Sequence, residues 1–204
     1  MSIREATAEE NTVTRRPGGR TARVRRRVFD ATLELLAARG YQALSIEEIA
    51  DAAGVNKTTI YRNWPNKAKL IQAAALDRSS IAIRVRPSGD LERDLAEMLQ
   101  SVAHYITSPV GHALIVSAIN GSGHTAARQD FTEFWAIRFA ATRAIIDRDL
   151  GPIDAGIADE AIEQMIGPLY LRVFITGTEI DRDFIERLAA TGARLLADAT
   201  AGRR

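Results

Sequence analysis

The residues with the clearest chemical potential lie together between Lys57 and Arg62. This segment, KTTIYR, carries two cations, two hydroxyls and a phenol. Groups of these kinds bond to phosphate oxygens and base edges in a DNA groove. If the segment is helical, Ile60 and Trp64 share one face at about 100° per residue, and Thr58 lies nearly opposite. An ordinary solvated helix face has a similar composition, so the neighbouring elements decide between the two interpretations.

Local signals predict two short helices around this segment. Ser45 followed by Glu48 has the form of a capping box, which opens a helix. Isoleucine and alanine residues at helical spacing give that helix an apolar face. Gly54 can adopt the left-handed conformation that ends a helix, and Asn56 is a favoured N-cap for the next one. Two short helices joined by a tight turn form a helix-turn-helix, which we place at residues 45–64.

The stretch from Ser45 to Ile71, SIEEIADAAGVNKTTIYRNWPNKAKLI, resembles the DNA-binding segment of the tetracycline-repressor (TetR) family of bacterial transcriptional regulators. The shared features are the first serine, an Ile-Ala pair, an Ala-Gly-Val turn, the Thr-Ile-Tyr of the recognition helix and an aromatic residue before Pro65. Trp64 stands where phenylalanine is commoner in the family. The resemblance implies that phosphates are held by Ser45, Tyr61 and Lys67, and that the groove is faced by Lys57, Thr58, Thr59 and Arg62.

The composition is that of a soluble globular protein. The chain has 204 residues, of which 46% are hydrophobic and 26% are charged. It contains no cysteine, which excludes disulfides and thiolate chemistry. No apolar run approaches the roughly 18 to 20 residues of a membrane span, and the N-terminus lacks an apolar signal core. These features predict a cytoplasmic protein that contacts no membrane.

Charge is distributed unevenly along the chain. Residues 1–72 contain 13 Lys and Arg against 8 Asp and Glu, whereas residues 73–204 contain 14 against 18. The positive excess therefore coincides with the predicted helix-turn-helix. Such a distribution orients a protein on a polyanion, because neutralising phosphates releases counterions.

Hydrophobic periodicity predicts an all-α fold of about nine helices. Besides the two short helices, the predicted helices span residues 21–39, 66 to 79 or 81, 91 to about 109, 113–119, 125–150, 159–176, and 181 onward. Gly40 is expected to end the first helix, and Pro168 is expected to bend the eighth.

Three segments follow from this helix pattern. They are a flexible basic arm at 1–20, a DNA-binding domain at 21–81, and a regulatory and dimerisation domain at 82–204. In the arm, Arg15, Arg16 and Arg20 surround a Pro-Gly-Gly sequence. Basic arms of this kind can enter a minor groove, although a disordered tail with incidental charge has the same composition.

The C-terminal domain is predicted to hold a small molecule. Aromatic residues make up 6% of the chain but cluster between Phe131 and Phe139, which marks either the core or a cavity wall. More than a hundred residues behind a DNA-binding unit favour a sensor for a small, largely apolar molecule. The candidate lining residues are Met98, His104, Phe134, Trp135, Arg138, Met165 and Tyr170. A place in the plain core is the favoured alternative for each of them except Arg138, which needs an acidic partner, a polar ligand group or solvent.

The last two predicted helices are apolar over more of their surface than one small body can cover. We therefore expect a two-fold interface to which each chain contributes both helices. Residues 167–180 also resemble the corresponding helix in one C-terminal subgroup of the family. The candidate interface residues are Ile162, Ile166, Leu169, Val173, Leu188, Gly192 and Leu195.

The sequence offers no catalytic constellation and implies no cofactor. Gly121-Ser122-Gly123 is too short for a nucleophile elbow. The three histidines, at 104, 112 and 124, lack the carboxylate set of a metal site. The resemblance to the TetR family implies a repressor that binds a palindromic operator as a homodimer and is released by a small-molecule inducer. The alternative is a constitutive DNA-binding architectural protein without a ligand.

Overall fold

The computed structural model describes residues 18–82, 85–121 and 125–201, in which all regular structure is helical. The α-helices in these ranges are α1 Gly18–Ala43, α2 Ile46–Ala53, α3 Lys57–Asn63, α4 Lys67–Ala82, α5 Leu91–Thr107, α6 Pro109–Gly121, α7 Thr125–Leu150, α8 Ala155–Leu171 and α9 Arg182–Ala201. A π-helical turn, Arg172–Thr176, follows α8. The all-α prediction is confirmed. The predicted arm lies outside the described residues for its first 17 positions.

Helix α1 is the apolar floor of the N-terminal part. It packs against α2, α4 and α6. Val28 and Phe29 are buried in this contact, and the Phe29 ring lies 5.3 Å from the Trp64 ring. At Gly40 the backbone leaves the helical region with φ 74° and ψ 171°, so the predicted end of the first helix is confirmed there. A further helical turn to Ala43 then leads into α2.

Helix α5 lies at the centre of the C-terminal part and packs against α6, α7, α8 and α9. Its first turn contains the fully buried carboxylate of Asp94. That carboxylate accepts a hydrogen bond from the Ser88 backbone at 3.1 Å and is paired with Arg148 of α7. The loop before α5 and the end of α7 are thereby tied together. Within the described helices, none is both long and apolar enough to cross a membrane.

Two helices begin earlier than predicted because polar residues cap them. Helix α6 begins at Pro109 instead of 113, since the Ser108 hydroxyl accepts from the Gly111 backbone at 3.1 Å and proline suits the first helical position. Helix α8 begins at Ala155 instead of 159, because the Asp154 carboxylate accepts from the next turn. It continues past Pro168 and widens into the π-helical turn.

Three of the predicted dimer-interface residues are instead buried within their own chain. Ile162, Leu169 and Gly192 have almost no exposed surface in the single chain. At Gly192 a Cβ atom would lie 2.1 Å from the Met165 sulfur, so α8 and α9 pack too closely there to admit a partner. Assigning these three residues to the interface was wrong, because their faces of α8 and α9 are covered by the chain's own helices.

The remaining interface candidates keep part of their surface. Ile166, Val173, Leu188 and Leu195 are half-buried. Two apolar residues that the sequence analysis did not single out are more exposed, Leu171 at 52% and Ile175 at 75%. An apolar surface therefore remains around the end of α8 and the π-helical turn.

Candidate nucleic-acid interface and adjoining cavity

The helix-turn-helix is held in shape by local caps. The Ser45 hydroxyl accepts from the Glu48 backbone N–H, and the Glu48 carboxylate accepts from the Ser45 backbone N–H, each at 3.2 Å. The Ser45 hydroxyl and backbone N–H both donate to the Glu48 carboxylate, and these two bonds lower the pKa of Glu48. Gly54 has φ 61° and ψ 45°, and the Asn56 amide oxygen accepts from the Thr58 backbone at 2.9 Å. The predicted capping box, turn and N-cap are confirmed.

Helix α3 turns one face inward and the opposite face to solvent. Ile60 is fully buried, whereas Thr58 and Arg62 are exposed and Tyr61 is 47% exposed. Thr59 is half-buried on the flank. The predicted orientation of the helix is therefore confirmed, and its polar side chains are free to meet an external surface.

The polar groups at the start of α3 have weak or local partners. The Lys57 ammonium lies 3.4 Å from a Glu47 carboxylate oxygen, and both side chains are 57% exposed. Exposed pairs of this kind contribute at most about 1 kcal/mol. The Thr58 hydroxyl donates to Asn56 at 2.8 Å and keeps its lone pairs available. Both residues can exchange these partners for phosphates or bases.

Two predicted phosphate ligands already have structural bonds. The Lys67 ammonium donates to the carbonyl oxygens of Tyr41 and Leu44, each at 2.8 Å, and lies 4.4 Å from the Tyr41 ring centre. Burial lowers the pKa of Lys67. The Ser45 hydroxyl also donates to Glu48 at 2.9 Å. Both residues thus hold the helix-turn-helix in place, and their contacts with phosphate stay predictions.

A small cavity lies behind this unit, in the C-terminal part. Its volume is about 30 Å³, which is room for roughly one or two water molecules. Five of the seven predicted lining residues meet there, namely Met98, Phe134, Trp135, Arg138 and Tyr170. The structure adds Ser79 from α4, Val102 and Tyr105 from α5, Ile115 from α6, Phe139 and Thr142 from α7, and Ile162 and Ile166 from α8.

The other two candidates point elsewhere. His104 is exposed on α5, about 100° around the helix from Tyr105. Met165 is buried against Gly192 of α9. Their assignment to this cavity was wrong. Tyr105 was missed, although its spacing of seven residues from Met98 on a helix would have placed it on the same face.

The cavity contains polar groups that have no polar partner. Within the described part of the chain, the buried Tyr105 hydroxyl has no hydrogen-bond partner. Burial raises the pKa of Tyr105 to about 12 and raises that of Tyr170 as well. Burial lowers the pKa of Arg138, and the neighbouring Tyr105 and Tyr170 act in the opposite direction. By contrast, the hydroxyls of Ser79 and Thr142 donate to main-chain carbonyls.

Helix α4 connects the cavity with the helix-turn-helix. Ser79 near its end lines the cavity, and the helix packs on α1. The Glu133 carboxylate of α7 accepts from Lys69 at 2.8 Å and from Gln72 at 3.1 Å. Trp135 follows two residues later and packs edge-on against Tyr170, at 5.7 Å between ring centres. A movement of Trp135 in the cavity wall would therefore occur two residues from Glu133, which is hydrogen-bonded to α4.

The geometry does not resemble a metal centre. Among the described residues, no group of three His, Asp or Glu side chains could hold a metal ion. An exposed, polar recognition helix on a helical body is the architecture of a DNA-binding transcriptional regulator.

Comparison with known families identifies this class more closely. The family model described as "Bacterial regulatory proteins, tetR family" matches residues 28–74. The model "Tetracyclin repressor-like, C-terminal domain" matches residues 85–191. The chain therefore belongs to the TetR family of transcriptional regulators, whose members are DNA-binding regulators and not enzymes.

Individual relatives agree with this assignment. The HTH-type transcriptional regulator AqdR of Rhodococcus erythropolis is 28% identical over 165 residues, 79% of each chain. The DNA-binding transcriptional repressor TetR of Mycobacteroides abscessus is 45% identical over 65 residues, 31% of this chain and 34% of that protein. The crystal structure of the TetR family transcription regulator SCO0332 matches with a TM-score of 0.68 at 27% identity, covering 85% of this chain and 97% of that one.

Proposed function

We propose that this regulator is a repressor that binds a palindromic operator as a homodimer and is released when a small molecule enters the cavity. The observation that carries the proposal is the position of α4. The same helix supplies Ser79 to the cavity and packs on the floor of the helix-turn-helix. A ligand that moves the cavity wall therefore acts on an element that positions the recognition helix.

Recognition of DNA is assigned to the exposed face of α3. Thr58 and Arg62 stand clear of the fold and are proposed to reach base edges and the groove. In a dimer two such helices lie about 34 Å apart, or a multiple of that spacing, and so read two half-sites. The exposed apolar side chains of Leu171 and Ile175 supply surface that a second subunit would cover.

The size of the cavity suggests how a ligand would act. Organic ligands of drug size occupy roughly 300 to 1,000 Å³, far more than the about 30 Å³ present. Entry of a ligand must therefore displace Trp135 and its neighbours. A ligand that fits only the expanded state binds the DNA-incompetent form more tightly. A typical coupling of about 1 to 3 kcal/mol lowers operator affinity roughly 5- to 150-fold.

The DNA-binding assignment is tested by selecting fragments of the source genome that the full chain retains. The selected site, on a labelled duplex, then serves to measure Kd by fluorescence anisotropy over a range of salt concentrations. Thr58→Ala is expected to change the preferred sequence, because Thr58 is assigned to base edges. Arg93→Ala, on the exposed surface of α5, is the control and should change neither the operator Kd nor the preferred sequence. A protein that retains no fragment in dilute salt would contradict the proposal.

The ligand response is tested on the same duplex. Small molecules that bind the full chain by calorimetry are added at saturation, and the operator Kd is measured again. At least one binder should raise Kd within the range given above. If every demonstrated binder leaves Kd unchanged, the protein is a constitutive DNA-binding protein instead.

A further inference from the structure

We infer that the cavity ligand is an amphipathic organic acid, with its anionic group held by Arg138 and Tyr105 and its apolar body against Phe134 and Trp135. The inference assigns a chemical class to the ligand of the same cavity and in that respect rests on the proposed function. Its own test measures binding alone, without DNA.

Arg138 is a half-buried cation that forms no ion pair with any of the described residues. The described residues that line the cavity beside it include the phenols of Tyr105 and Tyr170 but no carboxylate. Burial lowers its pKa, yet a guanidinium stays protonated at neutral pH. A desolvated cation is stabilised most by an anion that forms hydrogen bonds with it. The site therefore needs one negative charge to neutralise the Arg138 guanidinium.

The Tyr105 hydroxyl supplies a second, independent observation. It is buried, lines the cavity and has no hydrogen-bond partner within the described ranges. Its pKa is raised to about 12, so it is neutral and able to donate at neutral pH. Buried polar atoms without partners are rare in native structures and mark places where a partner binds. An oxygen of a ligand would satisfy this donor.

Arg138 and Tyr105 together define what that oxygen belongs to. The guanidinium can only donate hydrogen bonds, and the tyrosine hydroxyl is left with a hydrogen to donate, so both call for an acceptor. A neutral carbonyl would accept these bonds without supplying the missing charge. A carboxylate, or an equivalent anion, supplies both and offers two oxygens to the fork of the guanidinium.

The rest of the cavity wall is apolar and aromatic. Phe134 and Trp135 meet edge to face with ring centres 5.3 Å apart, and Met98 lies beside them. Such a wall accommodates an aryl or alkyl group. Arg138 also lines a surface cleft with Trp64 at the end of the helix-turn-helix. An anion in the cavity would draw the guanidinium toward the body and away from that cleft.

The test uses three acids and their neutral analogues on the full chain. Benzoate, naphthalene-2-carboxylate and decanoate are each compared with the corresponding primary amide by isothermal titration calorimetry. At least one acid should bind, with Kd lower than that of its amide by about tenfold or more. Arg138→Met should reduce this preference to less than about twofold. Arg93→Met, which removes an exposed charge from α5, should leave it intact.

Two further variants distinguish a specific loss of acid binding from a loss of folding. Arg138→Lys keeps the charge and should keep the preference for acids at reduced affinity. Tyr105→Phe removes only the hydroxyl and should weaken acid binding by about tenfold without affecting the amide. If no acid binds, if amides bind as tightly as acids, or if Arg138→Met retains the preference, the inference is wrong.

The same measurements separate this inference from the proposed function. An acid that binds through Arg138 but leaves operator affinity unchanged would support the ligand class and contradict the ligand-responsive repressor. A neutral molecule that binds in the cavity and releases the operator, while the acids neither bind nor release it, would support the ligand-responsive repressor and contradict the ligand class.

Discussion

Arg62 on α3 and Arg138 on α7 carry the same guanidinium group in opposite surroundings. Arg62 is exposed on the outer face of a short helix whose apolar residues point inward. Arg138 lines a cavity with aromatic rings and with the Tyr105 hydroxyl, which has no hydrogen-bond partner in the part of the chain that the structure describes. A solvated cation can approach many phosphates in turn, because water stabilises it between contacts. A half-buried cation instead selects one anion of the right shape.

The two regions that contain these arginines differ in the same way. The helix-turn-helix satisfies its polar groups locally, through Ser45, Asn56 and Lys67, and keeps its interior apolar. The described residues of the C-terminal part place polar groups inside, and one of these groups, the Tyr105 hydroxyl, has no hydrogen-bond partner among them. Unsatisfied buried groups lower stability and persist where function requires them. This contrast supports the proposal that a ligand binds in the interior of the body and not on its surface.

The largest expected effect concerns the packing under the recognition helix. Phe29→Ala should lower the free energy of unfolding by roughly 3 to 5 kcal/mol, because it leaves a hole against Trp64 and the α1 floor. Urea unfolding measures this change. Ile137→Ala, at a residue 47% exposed, is the matched control and should change it by no more than about 0.5 kcal/mol. Equal losses in both variants would show that the two sites are equally packed.

Replacing each of the two arginines in turn tests on DNA whether they have different roles. Arg62→Ala should weaken operator binding by roughly 5- to 150-fold, because it removes a proposed contact in the groove. Arg138→Met should leave operator binding of the ligand-free protein within about twofold, since it faces no DNA. Fluorescence anisotropy with a labelled operator measures both. The opposite ranking would show that the two roles are reversed.

A smaller effect is expected at the cap of α2. Ser45→Ala should cost about 1 kcal/mol of stability, because the backbone N–H of Glu48 loses its acceptor. Asp154→Ala removes the corresponding cap of α8 and should cost a similar amount. Only the Ser45 variant is expected to weaken DNA binding as well, as measured on the folded protein at low temperature. Equal DNA affinity in the two variants would remove Ser45 from the predicted phosphate contacts.

The smallest change is expected inside the cavity. Tyr105→Phe should leave the free energy of unfolding unchanged or raise it by up to about 1 kcal/mol, because the removed hydroxyl has no partner in the described structure. Thermal and urea unfolding of the ligand-free protein measure this. A loss of more than about 1 kcal/mol would mean that the hydroxyl is bonded in solution.

Local chemistry explains why the helix-turn-helix could be predicted from the sequence. The capping box at Ser45, the left-handed turn at Gly54 and the cap at Asn56 each depend on residues within three or four positions. The same holds for Asp181, which caps α9 by accepting from the Phe184 backbone at 2.7 Å. Elements fixed by such short-range bonds need no knowledge of the rest of the fold.

The wrong predictions concern residues whose surroundings depend on contacts between parts of the chain that are distant in sequence. Periodicity shows that Ile162 and Leu169 belong to an apolar face, but it does not show whether the chain itself or a partner covers that face. The carbonyl oxygens that bind Lys67 are more than twenty residues away in sequence. For the cavity, composition located the aromatic cluster, whereas the missing partners of Tyr105 and Arg138 depend on how α5, α7 and α8 meet.

The central claim is that an anion bound at Arg138 changes the affinity of α3 for DNA. The most direct test titrates the acid that binds most tightly against the operator complex of the native chain and of Arg138→Met. We expect the operator Kd of the native chain to rise by roughly 5- to 150-fold at saturation and that of the variant to stay constant. Equal release from both proteins, or no release from the native chain despite measured binding of the acid, would contradict the claim.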